Sequence, residues 1–546
     1  MGSTTTPSNA AEYANTKAEA ATIEETETNT NCSASTFASK SEELPLGKAV
    51  RQYSKFCLYL AGLLSVVLLF GYDLSIVGVI TSVPAFQKDY GVPDTTEAPE
   101  EDKWILPGIW VSLLSAMPSV GMALGAALGG ILQDRMGRRR CLQIGSSIIV
   151  FSVLIIFLSN KPPSKDGKRG MLLAGKMIQG FAVAIMKITT LTYISENVPV
   201  ALKGMAMALF PAITLLGQLT GALVVFACEG IDNQNAYLIA LASQWALSIA
   251  PFVMSFLLPE SPPYLIAKGD IAGARNSLTR LLAPKNDVDI ALQKLRHAND
   301  TEADTTEHIS YMDCFNSANR RRSFIIIYAN FLPQLFGLPL LSSVSYFLQQ
   351  VGMKPSTSIL FLIGGILCGL AANVGSSWTL SNIGRRKLTV TTLLIAAALW
   401  SGMGISGFWH NDSITPWSTA AIAVCIIVVC GLGCWPASYA IMSETSALRL
   451  RAKSQAIGGM AAYTSTIVAN FVLPFFYNPD YLNLKAKTGF VHGVLSLIAA
   501  FGMWILVPEM KGRSIIETDQ MFDEKVPARM STKWKPRVSD VRMANV

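Results

Sequence analysis

Charge is scarce in this chain of 546 residues: only 15% of them are Asp, Glu, Lys or Arg, and 51% are hydrophobic. A soluble globular protein carries about 25% charged residues. Long stretches of the sequence hold almost no charge, and a helix of about 20 apolar residues crosses the hydrocarbon core of a bilayer. The composition therefore predicts a membrane protein. The net charge of +7 then bears on orientation in the bilayer, and we expect no nucleic-acid partner.

Two further features are missing. No apolar run precedes Phe56, and the first 50 residues are rich in Thr, Ala and Glu, so we expect a disordered cytoplasmic tail over 1–55 and no cleaved signal peptide. The nine cysteines and four histidines have neither the spacing of metal ligands nor a nucleophile–base arrangement in a polar segment. We therefore predict no metal, no cofactor and no enzymatic activity.

Three short charged motifs occur twice at nearly the same separation. They are Gly137-Arg138-Arg139 with Gly384-Arg385-Arg386, Ser195-Glu196 with Ser443-Glu444, and Pro259-Glu260 with Pro508-Glu509. The offsets are 247 (384 − 137), 248 (444 − 196) and 249 (508 − 259) residues. A constant offset near half the chain length indicates two copies of one structural unit, here a two-fold helical membrane bundle.

The apolar segments form twelve predicted spans. We expect an all-α membrane protein with two pseudo-symmetric six-helix bundles at 56–258 and 323–507, a cytoplasmic linker with short helices at 259–322, and a cytoplasmic tail at 508–546. The spans are predicted at about 56–83, 104–132, 141–159, 170–195, 204–228, 237–258, 323–350, 355–380, 388–408, 416–443, 453–476 and 488–507.

The distribution of Lys and Arg predicts the orientation. With the N-terminus inside, the cytoplasmic segments hold 33 of these residues and the external loops 9. This excess satisfies the positive-inside rule, so we expect both termini in the cytoplasm.

Ionisable residues inside the spans are candidates for function because charge is costly in hydrocarbon. Asp73 in the first span and Lys176 in the fourth are expected at similar depth, where protonation of Asp73 would free Lys176 and couple a proton to movement. The alternative is a static buried ion pair. Lys187 lies eleven residues beyond Lys176 (187 − 176), so the two share a helix face; it contributes to transport or extends towards Glu196 and the cytoplasmic surface.

The duplicated motifs predict a cytoplasmic gate in each half. In the first half, Asp134 and Arg138 flank a glycine turn, and Glu196 can accept the guanidinium. The equivalent residues of the second half are Arg385, Glu444 and Arg451. We expect these pairs to hold an outward-facing state and to break on inward opening. The alternative is that they are positive-inside anchors without a gating role.

Polar and aromatic residues inside apolar spans mark a candidate solute path. Amide groups and aromatic faces suit a neutral polyhydroxylated ligand near the bilayer midplane, whereas hydrogen bonding between helices is an equally good explanation for any single one of them. The candidates are Gln218, Gln334, Asn373, Asn470, Tyr346, Tyr439 and Tyr463.

The sequence resembles the sugar porter family of the major facilitator superfamily over about 56–530. The resemblance implies alternating access, proton symport through the Asp73 position, and Gln218, Gln334, Tyr439 and Tyr463 as residues that line the cavity. The matching strings include Gly71-Tyr72-Asp73, Asp134-Arg-Met-Gly-Arg-Arg139, Tyr193-Ile-Ser-Glu196, Gly217-Gln218-Leu219, Pro259-Glu-Ser-Pro262 and Pro508-Glu509. Val83-Pro-Ala-Phe-Gln87, Ser345-Tyr-Phe347 and Lys525-Val-Pro-Ala-Arg529 look closer still to fungal α-glucoside (maltose-type) permeases.

Departures from the family pattern bear on the substrate. The arginine of the family's fourth span is Lys176 here, which keeps the charge but loses the guanidinium fork. Pro333 and Pro339 replace amide residues of the seventh span, and Phe70 and Met122 stand where maltose-type permeases carry carboxylates.

Three functions follow from these patterns. We expect a monomeric plasma-membrane proton/sugar symporter, for an α-glucoside or a hexose. The second hypothesis is a transporter of a non-sugar metabolite, exported or imported, on the same scaffold. The third is a nutrient sensor that does not transport.

Overall fold

The computed structural model describes residues 46–93, 104–282, 288–296, 310–317, 319–409, 413–446, 450–513 and 515–534. Disorder was predicted over 1–55, and residues 1–45 of this tail lie outside the described residues. Its last part is an ordered helix, Leu46–Gln52, so the prediction of disorder was wrong there.

The first half consists of long helices joined by short connections. Because a bilayer core offers no hydrogen-bond partners, apolar segments there satisfy their backbone groups within a helix. In chain order the helices are α1 Leu46–Gln52, α2 Ser54–Ile80, α3 Pro84–Tyr90, α4 Gly108–Met136, α5 Arg138–Phe157, α6 Lys165–Asn197, α7 Val200–Glu229 and α8 Asn235–Leu257, with a short antiparallel strand pair, β1 Val92–Pro93 and β2 Trp104–Ile105, between α3 and α4.

The polar linker and the second half follow. The linker contains α9 Pro262–Ala267, α10 Ile271–Leu282, helical residues 288–296 and a 3₁₀ turn at Tyr311–Phe315. The remaining helices are α11 Arg320–Leu335, α12 Leu338–Ser342, α13 Val344–Gln350, α14 Pro355–Asn382, α15 Arg385–Ser406, α16 Ile414–Leu432, α17 Cys434–Thr445, α18 Arg451–Val472, α19 Pro474–Tyr477, α20 Thr488–Leu506 and α21 Ile515–Asp523; further 3₁₀ turns are Leu158–Asn160, Gly407–Trp409 and Lys485–Lys487.

The predicted seventh span is a broken helix. Among the described residues, eleven helices are long and apolar enough to cross a membrane, whereas the segment predicted at 323–350 is divided into α11, α12 and α13. Gly337 has a φ of +93°, a conformation that ends a right-handed helix, and Pro339 follows it in the first turn of α12. The chain therefore bends at Gly337 where the sequence predicted a continuous span.

Helix packing repeats in the two halves. In the first half α2 packs on α7 and α5 on α8, and the equivalent pairs of the second half are α11 on α18 and α15 on α20. Between the halves, α4 packs on α18 and α7 on α14, so the second span of each half meets the fifth span of the other. This arrangement agrees with the repeat read from the sequence.

The bundle has two ends. The Gly-Arg-Arg end contains Gly137 and Gly384, and we call the opposite one the far end. Side-chain hydrogen bonds join the two halves at the far end. They run from Gln87 Nε2 to Gln349 Oε1 (3.0 Å), from Gln349 Nε2 to the Ser82 carbonyl (2.8 Å), from Ser345 Oγ to Ser82 Oγ (3.2 Å), from the Gly108 N–H to Asp480 Oδ2 (3.1 Å) and from Asn478 Nδ2 to the Leu106 carbonyl (3.1 Å). The far end is therefore closed.

Candidate transport site

A buried ion pair joins the first and fourth spans. Lys176 Nζ on α6 lies 2.9 Å from Asp73 Oδ1 on α2, and each side chain is only 2% exposed. Lys176 also donates a hydrogen bond to Gln179 Oε1 at 2.8 Å, and Gln179 Nε2 donates to Gln244 Oε1 on α8 at 2.8 Å. The structure thus brings together the two residues that the sequence proposed for proton coupling, and extends them into a polar chain across three helices.

The chemistry of this pair depends on its burial. Two opposite charges in a low-dielectric interior stabilise each other only while both are present, because each alone bears a large desolvation cost. Adding a proton to Asp73 would remove one charge, and the hydrogen bond to Gln179 would remain for the Lys176 ammonium. A change in the charge of either group would therefore change what the site requires of the neighbouring helices.

Two equivalent ion pairs lie at the Gly-Arg-Arg end. Arg138 Nη2 is 2.5 Å from Glu196 Oε1, and Arg385 donates to Glu444 Oε1 from Nε at 3.1 Å and from Nη2 at 2.8 Å. Each pair joins helices of one half, α5 to α6 or α15 to α17. Asp134, also proposed for the gate, lies 3.9 Å from Arg138 and is 80% exposed. Arg451 begins α18, and its side chain lies outside the described part of the chain.

Both ion pairs are present together with a closed far end. In the predicted orientation, an outward-facing state is open at the far end. Here both ion pairs are formed while hydrogen bonds such as Gln87 to Gln349 close that end. The expectation that the pairs hold an outward-facing state and break on inward opening stays a prediction. Because each pair lies within one half, the halves can move against each other without breaking it.

The Pro-Glu motif has a role that the sequence reasoning missed. Glu260 Oε1 accepts hydrogen bonds from the backbone N–H groups of Arg138 (2.8 Å) and Arg139 (3.2 Å). Glu509 accepts those of Arg385 and Arg386 at 2.8 and 3.2 Å. A carboxylate at a helix N-terminus satisfies free N–H groups and the helix dipole, so these glutamates cap α5 and α15. The offset of 249 residues between the two glutamates (509 − 260) showed that the motif is repeated, but it did not show which groups the carboxylates bind.

A glycine is needed beside each capping carboxylate. A Cβ on Gly137 would lie 2.5 Å from Glu260 Oε2, and one on Gly384 would lie 2.2 Å from Glu509 Oε2. Gly137 also has a φ of +89°. The close approach explains why Gly, Arg-Arg and Pro-Glu recur together: the carboxylate reaches the helix N-terminus only past a residue without a side chain.

The four residues proposed to bind substrate lie in different environments. Gln218 is partly exposed, and Tyr439 is 58% exposed although it lies in a membrane-spanning helix. Tyr463 of the second half packs against a buried cluster of the first half. Gln334, however, donates to Thr466 Oγ1 on α18 at 2.8 Å, so its amide nitrogen has a partner within the protein.

Other polar candidates join helices. Asn470 Nδ2 donates to the Ser115 carbonyl at 3.2 Å, and the Tyr346 hydroxyl hydrogen-bonds to Asn478 Oδ1 at 3.0 Å. For these two residues the structure supports the alternative of helix–helix hydrogen bonding.

Lys187 does not extend to Glu196. Its ammonium lies over the ring of Phe70 on α2, 4.0 Å from the ring centre. Glu196 is occupied by Arg138 and by the Ser261 hydroxyl, which donates to Oε2 at 2.5 Å. The Lys187 side chain thus points towards α2 inside the bundle.

The long apolar helices, the two repeated halves and the charge pair buried between spans define a multi-pass membrane protein of the transporter class. Residues 58–522 match the family described as "Sugar (and other) transporter". The chain belongs to this family, and the predicted family and major facilitator fold are confirmed.

Similar proteins bear the names of transporters. The chain is 29% identical over 521 residues to the MFS transporter fmqE of Aspergillus fumigatus, covering 92% of this chain and 94% of that protein. It is 26% identical over 509 residues to the alpha-glucosides permease MPH3 of Saccharomyces cerevisiae, covering 91% and 82%. A partially occluded inward-open structure of the Escherichia coli xylose transporter XylE shares the fold, with a TM-score of 0.68, 18% identity and coverage of 84% of this chain and 100% of that one.

Proposed function

We propose that the protein is a proton-coupled secondary transporter that moves a small polar solute, foremost a sugar, by alternating access. The observation that carries the proposal is the Asp73–Lys176 pair, at 2.9 Å and 2% exposure on both sides. A static pair at this depth adds little stability over apolar packing, whereas an intramembrane carboxylate beside a cation is the arrangement that proton-coupled carriers use.

The coupling step follows from the charges. With Asp73 ionised, the pair holds α2 and α6 together. A proton entering from the outside neutralises Asp73 and loosens its attraction to Lys176, so the first half can change its position relative to the second. Solute and proton then leave on the other side, and the ion pair forms again.

The orientation is part of the proposal. The excess of Lys and Arg at the Gly-Arg-Arg end supports a cytoplasmic location for it and for both termini. The far end then faces outside, and its closure by Gln87, Gln349 and Ser345 makes this conformation closed to the exterior. We infer that the protein is a monomer and that it lies in the plasma membrane, where a proton gradient is available to drive uptake.

A sugar is the first choice of solute because the family and the alpha-glucosides permease MPH3 support it. An α-glucoside or a hexose would meet the amide of Gln218 and the ring of Tyr439. A non-sugar metabolite is the second candidate, on a specific observation: proline occupies 333 and 339, and the Gln334 amide nitrogen donates to Thr466, which leaves few groups for sugar hydroxyls.

The experiment is uptake of labelled glucose and maltose at several external pH values, in a cell that lacks its own sugar transporters. We expect uptake to fall at alkaline external pH, because protonation of Asp73 from outside becomes rare, and to be lost in Asp73→Asn. Uptake of either sugar that ignores both external pH and this substitution would contradict proton coupling. A protein that takes up neither sugar, but whose loss changes the cellular level of another metabolite, would favour the second candidate.

A further inference from the structure

Lys187 is a second cation at membrane depth, separate from the proton-coupling pair. It lies 11 residues along α6 from Lys176 (187 − 176), a rise of about 16 Å. Its ammonium lies over the Phe70 ring, 4.0 Å from the ring centre. Phe70 is part of a buried cluster that Tyr463 of the second half contacts. The cluster beside Lys187 therefore reaches the second half, and transporters built from repeats bind their solutes where the halves meet.

No carboxylate compensates this charge among the residues that the structure describes. Asp73 is paired with Lys176, and Glu196 with Arg138. Lys187 is separated from Glu196 by nine residues (196 − 187), about 14 Å along the helix. No Asp or Glu of the described chain lies within ion-pair distance of Lys187.

The Lys187 side chain is partly exposed, and the Phe70 ring offers only part of what an ammonium at membrane depth requires. An aromatic face attracts the cation but accepts no conventional hydrogen bond, while an ammonium has three N–H donors and a full charge. A charged side chain kept at this depth without a protein partner marks the path of a charged or strongly polar ligand.

We propose that Lys187 binds a carboxylate of the transported solute, so that the substrate class is a small hydroxylated acid. The inference rests on the proposed transport function and narrows it. Phe70 holds the ammonium in position, and the solute carboxylate completes the ion pair. Asp73 lies three residues beyond Phe70 on α2, about one helical turn away, so the solute and proton sites lie along the same pair of helices, α2 and α6. One carboxylate that crosses with one proton carries no net charge, whereas a neutral sugar with one proton carries a positive charge.

The experiment compares D-glucuronate with D-glucose, which differ only in a carboxylate in place of a hydroxymethyl group. Purified protein in liposomes is given an inward proton gradient, and uptake of each labelled solute is measured. The wild type should favour glucuronate by about tenfold or more, as expected for one charge-assisted contact, and its glucuronate uptake should not respond to an imposed membrane potential. Lys187→Gln should lose most of this preference, and Lys187→Arg should keep it.

The variant Asp73→Asn separates this inference from the proposed function. It should abolish accumulation of both solutes against a gradient but keep the glucuronate preference in exchange of labelled for unlabelled solute. If accumulation is independent of the proton gradient while Lys187→Gln still removes the preference, the coupling proposal fails and the anion site stands. Equal uptake of the two solutes by the wild type, a preference unchanged in Lys187→Gln, or transport of neither solute would overturn the anion site. Size-exclusion profiles show whether Lys187→Gln is folded.

Discussion

Single residues set the charge balance of the bundle, and Asp73 and Lys176 depend on each other most strongly. Both side chains are 2% exposed, so neither charge has water as an alternative partner. Lys176 replaces an arginine that the family resemblance leads one to expect, and the single ammonium accommodates both Asp73 and Gln179.

Removing one partner of this pair should cost more than removing both. We expect Lys176→Gln to lower the stability of the purified protein by about 3–5 kcal/mol, because it leaves the Asp73 carboxylate buried and unpaired. The double variant Asp73→Asn/Lys176→Gln should recover most of this loss, and Lys176→Arg should lose little. Thermal unfolding in detergent measures all three. A double variant that is less stable than Lys176→Gln would show that the two side chains do not form an energetic pair.

At the scale of secondary-structure elements, the capping glutamates decide where the third and ninth spans begin. Glu509 reaches the N-terminus of α15 only because residue 384 is glycine, and a Cβ there would lie 2.2 Å from the carboxylate. The same geometry recurs at Gly137 and Glu260.

Gly384→Ala should therefore displace the Glu509 carboxylate and destabilise the second half by about 0.5–2 kcal/mol, the usual value of a helix cap. The matched control is Gly402→Ala in the same helix, where an added Cβ meets no atom within 4 Å and alanine is the better helix former. Thermal unfolding of the two variants is the measurement. An equal effect of both would mean that Glu509 does not stabilise α15.

The break in the seventh span at Gly337 can also be tested by substitution. A Cβ on Gly337 would lie 2.6 Å from Trp400 Cζ2, and its φ of +93° is unfavourable for any other residue. Gly337→Ala should slow transport several-fold by straining the bend between α11 and α12. Gly364→Ala on α14, where an added Cβ has open space, should leave the uptake rate near that of the wild type. Initial uptake rates normalised to protein amount distinguish the two, and a Gly337→Ala variant at full rate would contradict a role for the bend.

For the whole molecule, alternating access requires the far end to open and close. Ser82 and Ser345 belong to different halves, and their hydroxyl oxygens are 3.2 Å apart. That proximity suits a disulfide between cysteines at the two positions.

The pair Ser82→Cys/Ser345→Cys should stop transport under oxidation and recover it on reduction, because the crosslink holds the far end closed. Each single substitution serves as the control for oxidation of the native cysteines. Uptake before and after addition of a reductant is the readout. Full transport by the crosslinked protein would show that the far end does not open during the cycle.

The sequence predicted the architecture well because its main cause is local. Apolar runs must become helices in a bilayer, and the duplicated motifs show that there are two halves. Asp73 and Lys176 could be proposed as partners because an unpaired charge in hydrocarbon is costly and an opposite charge reduces that cost.

Contacts between uncharged residues of distant segments could not be predicted. Gln87 and Gln349 are 262 residues apart (349 − 87), and no pattern in the chain links them. The bend at Gly337 depends on one positive φ next to Trp400, which a hydropathy profile does not reveal. The Lys187–Phe70 contact was missed because the sequence offered Glu196 as a partner to Lys187 as well as to Arg138, and no pattern in the chain linked Lys187 to an aromatic ring.

Proton movement with the solute is the central claim, and it can be measured directly. Protein in liposomes that contain a pH-sensitive dye is exposed to an inward gradient of D-glucose, maltose or D-glucuronate, with no initial difference in pH. The account predicts that the lumen acidifies as the transported solute enters, and that Asp73→Asn exchanges labelled solute without any acidification. Solute entry without acidification in the wild type, or unchanged acidification in Asp73→Asn, would contradict it.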